Sequence, residues 1–318
     1  MKSKLLVMLA ALAIFAGPVS AWQPSQEIEI VVPGGKGGGG DQMARAMADI
    51  IKKNKLAPVE VTVSNKTGGS GTEGYMYVKG KKGDNHTLLI TLANLFTLPV
   101  AMGAQYQWNE LTPLARMALD EFALWVNADT PYKTVADYVK AAKASPNTLK
   151  MGGTGAAQED QIVTSLLEQA SDAHFVYVPL KGGGDVAKAL AAKQIDSSVN
   201  NPSEADELWQ TGKVRPLAVF DTARIPLPRW KEVPTMKEKG YDASYLMLRG
   251  VFGAPDMSKE ASAYYVKLLE KVFKSAEFQK YVKDGALNPA WQTGPQFTKW
   301  LEQQDQIHRD LLGKLGLK

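Results

Sequence analysis

The chain of 318 residues contains no cysteine. That excludes disulfides, thiolate metal sites and a lipid-anchored cysteine. Histidine is scarce as well: His86, His174 and His308 lie far apart with no ligand spacing, so no metal and no other cofactor is expected. Basic runs are missing apart from Lys79–Lys82, and a formal net charge of +4 gives nucleic-acid binding little electrostatic support. No Gly-Lys pair is followed by Ser or Thr, which excludes a P-loop. After the N-terminal segment, no stretch approaches a membrane-spanning run of ~20 apolar residues.

The N-terminal segment has a processing pattern of its own. Lys2 and Lys4 form a basic start, Leu5–Ala16 is almost wholly apolar, and Val19-Ser20-Ala21 is a small-residue cleavage site. Residues 1–21 therefore read as a secretory signal, too short to span a membrane. Its removal leaves a soluble chain starting at Trp22 and lowers the net charge by two. Export without disulfides is compatible with a periplasmic location.

What the chain has in plenty is glycine, concentrated in loops. Ile28–Val32 is a short apolar run bounded by Pro33 and reads as a buried strand. Gly34–Gly40 follows, interrupted only by Lys36. Asp41 then stands before Met43, Ala44, Met47, Ala48, Ile50 and Ile51, which recur at helical spacing to about Lys53. Asp41 is the expected N-cap. Glycine lets the backbone approach a ligand closely, and the N–H groups at the helix start favour an anion. The plain alternative is a tight strand-to-helix connection.

The same strand, glycine loop and helix order recurs. Val59–Val63 alternates as a strand, runs into Asn65–Gly71 with Gly69 inside, and is followed by a helix over 73–79. His86–Leu92 is a strand ending at Asn94. Leu111–Leu119 with Leu124–Val126 reads as a further strand pair, and 133–143 as a helix capped by Thr134. Leu149–Met151 leads into Gly152-Gly153-Thr154-Gly155 and a helix from about Gln158. Phe175–Val178 leads into Pro179-Leu180-Lys181 and Gly182–Gly184, with Asp185 opening the next helix. Ile195–Val199 ends at Asn200. Strands alternating with helices predict an α/β fold with mostly parallel sheets, in two lobes that divide near residue 122. Ligands of such sheets bind beyond the carboxyl ends of the strands, where the glycine loops lie. Loops of backbone N–H groups suit a carboxylate and supply no catalytic group, so no enzyme is expected.

With these residues in hand, the chain resembles the receptors of tripartite tricarboxylate transporters, the Bug-type periplasmic solute-binding proteins. Pro33 to Asp41 and on to Ala44-Arg45 resembles the family's P-x-x-x-G-G-x-[TS]-D loop. Asn65–Gly71 is similar to N-x-x-G-A-G-G, Val178–Gly183 to V-P-Y-K-G, and Val233-Pro234-Thr235 with Glu238 and Gly240 to V-P-T-x-x-E-x-G. The likeness covers essentially the whole exported chain. It implies a type II periplasmic-binding-protein fold with a ligand cleft between two lobes, residues 22–122 with 247–318 and residues 123–246. The lobes would hinge near Leu119–Val126 and Met247–Phe252. It also implies a monomeric receptor that passes a small organic acid to membrane permease subunits. The loops it points to are Gly37, Gly38, Gly39, Gly40 and Asp41 in one lobe and Gly152, Thr154, Gly155, Ala156 and Ala157 in the other. Gln158, Glu159, Pro179, Lys181, Gly69, Asn94 and Asn200 complete the expected site. The sequence departs from the pattern at Gly40, where the family prefers Thr or Ser, at Gly34-Gly35-Lys36, and at Gln158-Glu159-Asp160, where many relatives carry Ser and His.

Two other readings compete. A sensor subunit for a membrane histidine kinase would use the same cleft. Gly35, Gly37 and Gly40 formally match a dinucleotide-binding G-x-G-x-x-G, but the second strand ends Ser64-Asn65, without the acid that would hold a ribose. Lys36 and Lys181 read either as solvated loop lysines or as partners for a carboxylate. Glu159 and Asp160 read either as helix-start acids or, for Glu159, as a selector for a ligand carrying a donor or a positive group.

Overall fold

The computed structural model describes residues 22–317; the signal segment expected over residues 1–21 lies outside the described residues. β1 (Ile28–Val32), α1 (Gly39–Lys53), β2 (Val61–Asn65), α2 (Thr72–Lys79), β3 (Thr87–Thr91), α3 (Asn94–Ala101) and β4 (Thr112–Asp120) come first. Then follow β5 (Ala123–Asn127), α4 (Val135–Ala144), β6 (Lys150–Gly153), α5 (Glu159–Ser171), β7 (Val176–Pro179), α6 (Gly183–Ala191), β8 (Ser197–Asn200), α7 (Pro202–Gln210) and β9 (Val214–Val219). β10 (Met247–Gly253), α8 (Lys259–Lys274), α9 (Ala276–Asp284), β11 (Asn288–Thr293) and α10 (Gly294–Lys314) finish the chain.

The strands form a six-stranded sheet, β11-β4-β10-β3-β1-β2, and a five-stranded sheet, β7-β6-β8-β5-β9. Both are mixed, not mostly parallel. β1 runs parallel to β2 and β3, and β6 parallel to β7 and β8, as helical crossovers require. β10 runs antiparallel to β3 and β4, and β5 antiparallel to β8 and β9. These antiparallel strands are the ones at which the chain passes between sheets. The expected strand pair over 111–126 is therefore split: β4 and β5 are consecutive but belong to different sheets, joined through Glu121-Phe122. An apolar run shows burial, and both strands are buried; it does not say against which sheet.

The apolar faces pack as their spacing predicts. Met43, Ala44, Met47, Ile50 and Ile51 of α1 cover Ile28, Ile30 and Val32, with Tyr265, Leu268, Leu269 and Val272 of α8 in the same cluster. α10 reaches both halves of the molecule: Phe297 and Leu301 pack near Phe252 and Phe96, while Leu312 joins the cluster of Phe122, Leu124 and Tyr245. His308 sits between them. Its Nδ1–H donates to the Gln304 carbonyl (2.8 Å), so Nε2 accepts from the Tyr245 hydroxyl (2.8 Å).

Two helix starts differ from the sequence reading for one reason. α1 begins at Gly39, with Gly38 as its extended N-cap, and Asp41 is the third helical residue. Its carboxylate turns back to accept the Gly37 N–H (2.9 Å) and is held by Arg45 and Asn65. α6 likewise begins at Gly183, two residues before Asp185. Glycine is an adequate N-cap, and here it brings a helix start against the opposite lobe, where a side chain would not fit. α3 was not legible as a helix: it is apolar nearly all round and contains Pro99.

Candidate ligand-binding cleft

The glycine loops that follow β1 and β7 meet backbone to backbone. A Cβ on Gly35 would lie 2.7 Å from the Lys181 carbonyl oxygen, and one on Gly182 would lie 2.9 Å from the Gly35 Cα. Only glycine at both positions permits that approach. Hydrogen bonds join the lobes nearby. The Gly39 N–H donates to Glu204 Oε1 (2.9 Å), the Thr97 hydroxyl to the Ala157 carbonyl (2.6 Å), and the Gln158 amide to the Ser70 carbonyl.

Behind these contacts lies an inner cavity of about 30 Å³, floored by Gly38–Asp41 and walled by Thr154, Gln158–Asp160, Gly182-Gly183, Asn201, Glu204 and Arg249. In front is a wider cavity of about 540 Å³, bounded by Pro33, Thr67, Ser70, Gly155, Pro179 and Leu180. Gly34, Gln158 and Lys181 line both.

Of the residues expected at the site, Gly38, Gly39, Gly40, Asp41, Thr154, Gln158, Glu159 and Lys181 face the inner cavity, and Gly155 and Pro179 the outer one. The others are placed elsewhere. Gly37 is exposed, in a left-handed turn (φ 77°) beside Gly184. Gly69 is exposed next to Ser70, and Ala156 is exposed outside both cavities. Gly152 is buried within β6, where a Cβ would strike Ile195. Ala157 is buried and bonded through its own backbone to Thr97 and Gln161. Asn94 is a buried brace: its side-chain oxygen accepts from the Tyr75 hydroxyl (2.6 Å) and its side-chain NH2 donates to the Ser70 carbonyl (3.2 Å). Asn200 stands one layer behind, donating to Glu204 (3.0 Å) and to the Gly183 carbonyl (3.0 Å). Lys36 is exposed and lines neither cavity.

Four charged residues escaped the sequence reading as parts of the site: Asp120, Asp160, Glu204 and Arg249. Arg249 is buried, donates through Nε to Asp120 (2.8 Å) and through Nη2 to Asp120 and to Asn201 (3.1 Å). A Cβ on Gly39 would run into this guanidinium at 2.1 Å. A lone arginine inside the apolar run Met247–Gly253 was the available signal. For Glu204 the signal was Asn201-x-x-Glu204, a capping box that the structure contains. Nothing in that pattern showed that the same carboxylate also crosses the cleft to Gly39. At the end of β2, Asn65 bonds Gly34 and Asp41, holding the first loop in the place where a dinucleotide site would need an acid. Among the described residues no three His, Asp or Glu side chains are grouped to hold a metal ion.

Burial sets the electrostatics. It pushes Glu121 up to about 9, with Asp221 and Asp120 adding to the effect, and Glu159 up to about 7; Asp160 moves the same way. These folded-state acids hold protons that the unfolded chain has released above an ordinary carboxyl pKa. The folded state then binds more protons, so stability falls as pH rises through this range. Buried His308 acts in the opposite sense, since its pKa is lowered by burial, but only on acidification below its ordinary 6.5. Between roughly pH 6.5 and pH 8.5 the acids act alone, and the melting temperature is expected to fall steadily across that window. A flat or rising profile in ligand-free thermal scans, buffered at each pH, contradicts this assignment.

Residues 43–317 match the model of a family described as tripartite tricarboxylate transporter family receptor. A Cupriavidus necator protein described as "UPF0065 protein in gbd 5'region" is 27% identical over 320 residues, covering 97% of this chain and 94% of its own length. The solved structure of periplasmic binding protein BugD matches with a TM-score of 0.87 at 22% identity, over 93% of this chain and 99% of that one. An R. palustris protein solved with adipate matches with a TM-score of 0.84 at 22% identity, over 92% and 98%. The two mixed sheets with a cleft between them are thus the fold of periplasmic binding proteins.

Proposed function

The chain belongs to the tripartite tricarboxylate transporter family of receptors, and from that premise we propose that it captures a small organic carboxylate between its lobes and delivers it to a membrane permease of the tripartite type. The family is one of solute-binding receptors, not enzymes. In this reading residues 1–21 direct export to the periplasm and the chain works as a monomer. One lobe comprises residues 22–122 with 247–318 and the other residues 123–246. Their hinge lies where β4 passes into β5 and where the chain returns into β10.

One observation carries the proposal. A carboxylate, that of Glu204, accepts the Gly39 N–H at the start of α1 from across the cleft, at 2.9 Å. The helix start and its glycine loop are therefore shaped to receive a carboxylate from the opposite lobe, as the partial positive charge there favours. A ligand carboxylate bound to the neighbouring loops would be held by the same means. The adipate held by the R. palustris protein is a carboxylate of the size proposed.

A thermal-shift screen of the exported chain against organic acids tests this. An acid at a hundred times its dissociation constant stabilises the folded state by about 2.7 kcal/mol, and at least one mono- or dicarboxylate is expected to do so. A screen in which uncharged or purely cationic solutes stabilise the chain and no acid does would remove the proposal.

A further inference from the structure

The wall of the inner cavity holds more acid than base. Asp41 is paired with Arg45, and Arg249 with Asp120. Glu204 is fully engaged: Gly39 on one oxygen, the Asn200 amide and the Asn201 N–H on the other. Asp160 accepts the Thr154 N–H (2.7 Å). Asp120 Oδ1 also lacks a donor, but its other oxygen pairs with Arg249 and Asp120 does not line the cavity; Glu159 lines it and has no ion-pair partner among the described residues. It is only 5% exposed, it faces the cavity, and its Oε2 has no hydrogen-bond partner among the protein atoms. The neighbouring Thr154 hydroxyl is unpartnered too. A buried carboxylate oxygen without a donor is strongly disfavoured unless another molecule brings one. Lys181, which has no ion-pair partner among the described residues, sits at the junction of the two cavities and is exposed.

The inner cavity, about 30 Å³, takes only a small group. An ammonium group fits and brings three donors to the unpartnered Glu159 oxygen, whereas a carboxylate brings none. The outer cavity, about 540 Å³ with Lys181 on its wall, has room for the rest of an organic acid.

Resting on the carboxylate-receptor reading, we propose that the ligand is an amino-carboxylate. Its protonated amine enters the inner cavity and donates to Glu159, and its carboxylate stays in the outer cavity with Lys181 and the loop backbone. Glu159 must then be ionised in the complex. Facing it are Asp160 on its own helix, Asp120 on β4, Glu204 on α7 and Arg249 on β10, with the hydroxyls of Tyr75, Tyr177 and Tyr245 farther round. The acids and the burial favour its protonated form, and Arg249 opposes them. An ammonium ligand therefore binds more weakly as pH falls from roughly 8 to 6. A plain dicarboxylate that shared the Glu159 proton would bind more tightly over the same interval.

The test is titration calorimetry on the exported chain with protein amino acids, straight-chain ω-amino acids, diamines and dicarboxylates of matched chain length, repeated on Glu159→Gln. The Gln variant keeps the shape, and its ligand-free melting curve reports whether it folds. An amine-bearing acid is expected to bind the parent, to weaken on acidification, and to lose about thirtyfold or more in Glu159→Gln. If that variant does not fold, the pH profile of the parent decides alone: affinity that is constant or rises on acidification overturns the inference. So does an amine-bearing acid that binds the folded variant as tightly as the parent, or a panel in which no amine-bearing compound binds. In the last case a dicarboxylate that binds leaves the carboxylate-receptor reading standing. A diamine that binds where no acid does upholds the amine at Glu159 and removes that reading instead.

Discussion

Replacing Arg249 by Met is expected to cost the folded chain about 3–5 kcal/mol, because it strands a carboxylate. Asp120 is 1% exposed, and Arg249 is the cation that bonds it. Burial alone would pull the Arg249 pKa down; the charge of Asp120 more than offsets that, which is the mark of a pair that needs both members. The pair also stands under the first helix turn, against Gly39, and holds Asn201 at the start of α7. Removing the second charge as well, in Arg249→Met with Asp120→Leu, should recover most of the loss, since apolar residues of similar volume replace buried pairs at little cost. Denaturant unfolding of the two variants checks this. A single variant within roughly 1 kcal/mol of the parent would mean that the pair contributes only packing.

Replacing Glu204 by Ala is expected to have the second largest effect, on stability and shape together. Two backbone N–H groups, Gly39 and Asn201, and the Asn200 amide lose their acceptor at once. Hydrogen bonds to a charged group contribute about 1.5–3 kcal/mol each, not additively, so a total near 3 kcal/mol is expected. One of the three crosses the cleft. Its loss should shift the ligand-free chain towards a more open form, with a larger radius of gyration in small-angle scattering. Glu204→Gln keeps one acceptor oxygen but turns an NH2 donor towards the other N–H partners, so it should fall between the Ala variant and the parent in both respects. An Ala variant with the parent's radius and melting temperature would show that Glu204 is only a local cap on α7.

Much of this arrangement was legible in the residues. The alternation of strand, glycine loop and helix, the apolar face of α1 and the Thr134 cap all follow from local spacing, and the structure contains them. What local spacing could not show was partnership over distance. Asp41 looked like a cap because it precedes the apolar face. Yet the helix starts two residues earlier, at glycines whose missing side chains admit Arg249 and the opposite lobe. β4 and β5 looked like a pair because they are neighbours in sequence. Glu204 belongs to a capping box that spacing does reveal, but its second role depends on Gly39, 165 positions away. Asn94 and Asn200 read as ligand-binding amides at strand ends; each instead lies behind the loops and braces them, lining neither cavity.

The central claim is that an organic acid is held between the loop of Gly34–Asp41 and the loop of Thr154–Asp160. A crystal structure of residues 22–318 with the tightest-binding acid from the thermal screen tests it most directly. The account predicts the acid in the cleft, with carboxylate oxygens within hydrogen-bond distance of loop N–H groups or Lys181 and with atoms of both lobes in contact. An acid found instead in the groove between α10 and the Ser244–Leu246 segment, with the glycine loops touching only each other, would contradict it.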